Sequence, residues 1–126
     1  MKYLCLVYLN EEEWDAQSES EYTALVNDIL AYREFLRRSG HLIDARSLQH
    51  SHTATTVRVR NGAIAITDGP FAETKEHLGG YLLIEARDLN EAIRLAANMP
   101  AAHRGTIEVR PLKELQAANL NHLAAE

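Results

Sequence analysis

Two short stretches of this chain are apolar on both sides at once. Tyr3-Leu4-Cys5-Leu6-Val7-Tyr8 and Tyr81-Leu82-Leu83-Ile84 place no charged residue on either face of an extended strand. Strand side chains point alternately to opposite faces. Segments of this kind, Lys2 to Leu9 and Tyr81 to Ala86, therefore belong in the middle of a sheet covered on both sides. The rest of the chain has to provide that cover. Ser18 and Glu21 have the spacing of a capping box, and behind them Tyr22, Leu25, Val26, Ile29, Tyr32 or Arg33, and Leu36 recur at helical spacing. Arg37-Arg38-Ser39-Gly40 ends that helix, with cations where the helix dipole favours them. Asp88 and Glu91 repeat the cap spacing and open a second helix, with Leu89, Ala92, Ile93, Ala96 and Met99 expected inward and Pro100 as its stop.

The remaining segments complete the order. His41 to Leu48 reads as a strand, and Asn10 to Gln17 as a polar turn. Thr55 to Arg60 and Ala63 to Thr67 flank Asn61-Gly62, the strongest short hairpin signal because both turn residues take positive φ. Val57 and Val59 share one face of that hairpin, Arg58 and Arg60 the other. Thr106 to Arg110 alternates as a last strand, and the tail from Leu112 to Glu126 carries Leu115, Leu120 and Leu123 at a spacing suited to a short helix. Two strand–helix–strand halves with a hairpin between them predict an α+β, ferredoxin-like βαβ(ββ)βαβ sandwich over residues 1–111, followed by a tail over 112–126. The helices cover one face of the sheet. A second copy of the chain, packed sheet against sheet, is the simplest cover for the other, so a homodimer through the sheet face is expected.

Bulk properties narrow the function. A chain of 126 residues is one domain, and a net charge of −5 speaks against general nucleic-acid binding, which needs clustered cations. No apolar run approaches the roughly 20 residues of a membrane helix, and the N-terminus begins a strand without a signal-peptide cleavage region. The single cysteine, Cys5, allows no internal disulfide, which suits the cytoplasm, and in an apolar strand it reads as a buried inert thiol.

Chemistry concentrates in one stretch, Thr67-Asp68-Gly69-Pro70-Phe71-Ala72-Glu73-Thr74-Lys75-Glu76-His77-Leu78-Gly79-Gly80-Tyr81, where three of the six glycines gather. Loops of this composition expose polar groups on a rigid frame. Asp68, ahead of Gly-Pro at a strand end, is the candidate catalytic carboxylate, although the same residue forms turns by accepting backbone donors. Glu73, Lys75 and Glu76 are candidate ligand-binding residues beside the alternative of a solvated turn held by its own ion pairs. Tyr81 is a candidate phenol at a cleft rim or a core residue, and Arg58 a candidate carboxylate receptor or a cross-sheet partner. His50 and His52 lie two apart, with His41 and His77 elsewhere, but no third ligand stands at diagnostic spacing, so no metal is assigned. Gly79-Gly80 follows no strand-to-helix phosphate pattern, no Ser-His-Asp or Cys-His set has usable spacing, and no cofactor is expected.

The motif Asp68-Gly69-Pro70-Phe71, followed by Ala72-Glu73-Thr74-Lys75-Glu76 and Gly79-Gly80-Tyr81, resembles the DGPF branch of the YCII-related family. Ala54-Thr55-Thr56-Val57-Arg58 and Ile107-Glu108-Val109-Arg110-Pro111 look like its flanking segments, so the resemblance covers about residues 1–111. It implies the dimeric α/β-barrel variant of the ferredoxin-like fold. It further implies a link to alternative sigma factors and, by fold alone, similarity to small isomerases and monooxygenase-type enzymes acting on ring products. The shorter branch is associated with a His on the first helix and an Asp near the end of the second. This chain has Asn27 and Asp28 on the first helix and Asn98-Met99-Pro100 at the end of the second, so that pair does not carry over. The resulting expectation is a small dimer that binds a polar or aromatic metabolite beside the 68–80 loop and performs cofactor-free acid/base chemistry. The alternative is a non-catalytic regulatory or interaction module. Whether the protein is an enzyme is left open by the sequence.

Overall fold

The computed structural model describes residues 1–117. Its elements are β1 (Lys2–Leu9), α1 (Glu11–Asp15), α2 (Glu19–Arg38), β2 (Leu42–Ser47), β3 (Thr55–Arg60), β4 (Ala63–Asp68), β5 (His77–Glu85), α3 (Leu89–Ala97) and β6 (Thr106–Pro111). Single 3₁₀ turns lie at Ser51–Thr53 and Pro100–His103. Four strands form an antiparallel sheet in the order β2-β5-β1-β6, an α+β arrangement consistent with the ferredoxin-like fold. The two strands that are apolar on both faces occupy its centre. Register sets Tyr3 opposite Ile84 and Cys5 opposite Leu82. Those four side chains, with Val7, Leu36, Ala92, Ala96 and Met99, make the core on the helix-covered face. The opposite face, carrying Leu4, Leu6, Tyr8 and Leu83, remains half-exposed.

Local signals decide the helix ends. In α2 both halves of the capping box form, Ser18 Oγ accepting from the Glu21 N–H and Glu21 accepting from the Ser18 N–H. Asp88 caps α3 by accepting from the Glu91 N–H. Asn10 to Gln17, expected as a turn, instead holds the short helix α1, because the Asn10 side chain caps it at Glu13. In α3 the inward stripe is Ala92, Leu95 and Ala96, with Met99 buried just beyond its end, while Leu89 and Ile93 are each 49% exposed. Two alanines let the helix approach the sheet closely and turn Leu89 and Ile93 to its flank. Residues 112–117 adopt no helix, and Leu115 is exposed; the rest of the tail, with Leu120 and Leu123, lies outside the described residues.

Gly79 and Gly80 do not close the central loop; they lie within β5, which starts at His77. Val7 pairs with Gly80 and Tyr8 with Leu78, so Gly79 is the extra residue of a bulge. A Cβ on Gly80 would stand 2.6 Å from the Arg46 carbonyl oxygen, which is why β2 can run beside it only if that position is bare. The hairpin β3–β4 turns at Asn61 (φ 52°) and Gly62 (φ 78°), as expected for a tight two-residue turn. Its strands pair only with each other, forming a separate two-stranded sheet. Val57 faces Ile66 and Val59 faces Ile64, and these four apolar side chains are 56–69% exposed.

Candidate functional site

Between α2 and the sheet lies a cavity of about 410 Å³. It exists because α2 buries only Leu25 and Leu36 fully, and because the strand opposite contributes Gly79 and Gly80, which have no side chains to fill the gap. Val26, Ile29 and Leu30 line it from α2, and Val7, Leu9 and Leu82 from the sheet. Trp14 and Tyr22, edge to face with ring centroids 5.8 Å apart, also contribute to the wall. An apolar concavity of this size with a few convergent polar groups has the character of a small-molecule site.

Glu11, Asp15, His50 and His77 form one group of polar side chains in its lining, and Arg33, Ser47 and Gln49 are also part of the wall. The Asp15 side chain is 59% exposed. Glu11 sits in the first turn of α1, directly after β1, with its side chain 18% exposed. Leu9 pairs with His77, so the start of β5 lies beside the start of α1. The segment after β2 is held against β5 by the Leu48 N–H, which donates to the Gly79 carbonyl at 2.8 Å. That segment delivers Ser51, whose N–H donates to the Glu11 carboxylate at 2.7 Å and whose hydroxyl donates to its other oxygen. His50 Nε2 is 3.6 Å from Glu11 Oε1 and 3.4 Å from Asp15 Oδ2. His77 Nδ1 is 3.3 Å from Glu11 Oε1, close enough for an ion pair but outside the angular range of a hydrogen bond, so this buried nitrogen has no hydrogen-bond partner.

Burial by itself would raise the Glu11 pKa. The two hydrogen bonds from Ser51, with His50 and His77 nearby, outweigh it and hold the carboxyl below its ordinary value. The result is an ionised carboxylate beside two imidazoles in the wall of an apolar cavity. His50 Nδ1 is 2.7 Å from His52 Nδ1, which ties the second histidine to the first rather than to the cavity. Among the described residues, no group of three or more His, Cys, Asp or Glu side chains is arranged to hold a metal ion.

Of the residues singled out from sequence, Tyr81 is in the cavity wall, but strand alternation puts its ring on the opposite face, where its hydroxyl donates to Asp44 Oδ2 at 2.8 Å. That bond, ahead of burial, raises the Tyr81 pKa and lowers that of Asp44. Asp68 ends β4, exposed, opposite Thr55. Arg58 is exposed on the hairpin opposite Ala65, and Glu73 and Lys75 are exposed in the loop. Glu76 accepts from the Thr106 hydroxyl at 2.8 Å. None of these five is among the residues lining the cavity. The residue sequence reasoning missed is Glu11. It stands in the run Glu11-Glu12-Glu13, which looks like any solvated acidic turn.

Residues 1–116 match the YCII-related domain. The chain belongs to the YCII-related family. An uncharacterized protein of Rhizobium meliloti (strain 1021) is 36% identical over 114 residues, covering 89% of this chain and 92% of the relative. The YCII-related match spans every residue that lines the cavity, so Glu11, His50 and His77 lie within the family domain.

Proposed function

We propose that this YCII-related protein, of the DGPF branch, binds a small molecule with an aromatic or aliphatic body in the cavity between α2 and the sheet. There it performs cofactor-free proton transfer through the Glu11–His77–His50 group. The observation that carries the reading is the carboxylate placed beside two imidazoles in the wall of an apolar cavity of about 410 Å³. Glu11, 3.3 Å from the buried His77 Nδ1, stabilises an imidazolium as it forms, and His77 is the candidate proton carrier through its other ring nitrogen, Nε2. The chemistry that fits is removal of a proton from one ligand carbon and its return to another, which needs neither metal nor redox cofactor. The site lies at the His77–Gly80 end of the 68–80 loop rather than around Asp68.

The test is ligand-induced thermal stabilisation with small aromatic acids, lactones and diols, on wild type, Glu11→Gln, His77→Gln and Asp68→Asn. A ligand at about 100 times its dissociation constant stabilises by about 2.7 kcal/mol. The shift should persist in Asp68→Asn. Proton exchange from the bound ligand into deuterated water should be lost in His77→Gln. If binding survives in both cavity variants and disappears in Asp68→Asn, the site is at the loop and this reading is wrong.

A second reading concerns assembly, and the hairpin favours it. The apolar face of Val57, Val59, Ile64 and Ile66 and the half-exposed sheet face of Leu4, Leu6, Tyr8 and Leu83 are two unpartnered surfaces on one chain. In a homodimer of the dimeric α/β-barrel type each copy buries both. A non-catalytic interaction module would use the same hairpin for a different protein, and the family resemblance to sigma-factor-linked proteins is its only pointer to a partner.

A further inference from the structure

Arg33 is the cation in this protein whose setting is out of keeping with the rest. Arg37, Arg38, Arg46, Arg87 and Arg110 are exposed, and each meets a carboxylate; Arg58, Arg60, Arg94 and Arg104 meet none among the described residues but are exposed to water. Arg33 is half-buried in the cavity wall and, among the described residues, meets none. Its Nη2 donates to Ser47 Oγ at 2.8 Å, while its Nε is buried without a partner. Burial, and then the nearby Arg46 cation, lower its pKa, so the folded protein holds this charge against the local field. A desolvated guanidinium without a counter-ion is unfavourable until an anion arrives.

We propose that Arg33 is the anion receptor of the cavity and that the ligand is an organic acid, its carboxylate on Arg33 and Ser47 and its apolar body along Val26, Ile29 and Leu82. This rests on the cavity being a ligand site. The donors present match a carboxylate. An Nη N–H not spent on Ser47 and the Ser47 hydroxyl, which accepts from Arg33 and keeps its own proton to donate, offer two hydrogen bonds to the two oxygens of a carboxylate. A phosphate carries more charge and more acceptor oxygens than one guanidinium and one hydroxyl satisfy. The same arrangement gives the site a direction: the acid group is fixed at Arg33, and the remainder of the molecule extends towards Glu11, His50 and His77, which line the same cavity.

The experiment compares phenylacetate, hydrocinnamate and octanoate with their primary amides by titration calorimetry, on wild type, Arg33→Met and Arg33→Lys. Each acid should bind wild type about tenfold or more tightly than its amide, as expected for a charge-assisted pair in place of a neutral one. In Arg33→Met the acid should lose that advantage while the amide binds as before. Arg33→Lys should keep part of it, since the charge remains but the fork geometry is gone. Inorganic phosphate at equal concentration should not displace the acids. Equal affinity for acid and amide in wild type, an acid preference that survives in Arg33→Met, or displacement by phosphate would each overturn the assignment of Arg33 while leaving the cavity a ligand site. If neither acids nor amides bind, the cavity reading fails along with it.

Discussion

Replacing Glu11 with alanine should release the Ser51 segment from α1 beside the cavity and destabilise the protein by a measurable amount. Glu11 ties α1 to a segment 40 residues later through two hydrogen bonds from Ser51, one from the N–H at 2.7 Å and one from the hydroxyl. Both are charge-assisted and part-buried. Their loss leaves two donors to find water at a half-buried position, which corresponds to about 1–3 kcal/mol. The pH dependence has a definite sign. The Glu11 carboxyl is held below its ordinary value of 4.5, so the folded state favours its ionised form. Its contribution is therefore complete above that value and is lost as pH falls through the lower folded-state value. Urea unfolding of wild type and Glu11→Ala should show the full difference at neutral pH and a shrinking one in acid. A double-mutant cycle with Ser51→Ala should return a coupling of about 1 kcal/mol or more, and the Ser51 amide should exchange faster in Glu11→Ala. A neutral-pH difference under about 0.5 kcal/mol, the range of ordinary surface changes, would refute the claim that this carboxylate holds α1 and the Ser51 segment together. So would a difference that persists undiminished in acid.

Three further outcomes follow from the geometry. Gly80→Ala should destabilise the protein by about 1–3 kcal/mol, measured by urea unfolding, because its Cβ would meet the Arg46 carbonyl oxygen at 2.6 Å and backbone must move; a neutral result would show that β2 is looser than described. Cys5, fully buried with its thiol pKa pushed up to about 11 by desolvation, should resist a thiol-specific disulfide reagent in the native protein and react on unfolding, whereas rapid native-state reaction would show that β1 opens. If the proposed homodimer uses the hairpin, Ile64→Lys with Ile66→Lys should lower the mass seen by light scattering from that of a dimer to that of a monomer without changing the circular dichroism, since both side chains lie outside the core; a wild-type monomer, or a dimer that persists in the variant, would refute that interface.

Local chemistry made much of the fold legible. Ser18 with Glu21, and Asp88 with Glu91, place helix starts through contacts three residues apart, and Asn61-Gly62 places the hairpin turn through backbone freedom at two positions. The central positions of β1 and β5 were legible because segments apolar on both faces have no other stable location. The elements misread from sequence were those whose form depends on a neighbour. Gly79-Gly80 looks like loop punctuation and proves to be strand, because only the approach of β2 shows why the residues are bare. Leu89 and Ile93 fit a helical stripe, yet the smaller Ala92 and Ala96 take the sheet-facing side because they permit closer packing.

The site is divided in the same way. His50 and His77 were visible as histidines, and Arg33 as one of several helical cations, but nothing in their spacing connects them with Glu11. Sequence by itself determined the order of elements, the central strands and the hairpin, because caps, turns and alternation act between residues a few positions apart. The cavity, the carboxylate beside two imidazoles and the half-buried arginine that meets no carboxylate among the described residues were decided only by tertiary structure. They depend on α2 standing off from a strand made bare by glycine, and on three distant segments meeting where β1 ends. Distances of that kind are set by the packing of the whole chain and are not encoded in any one stretch of it.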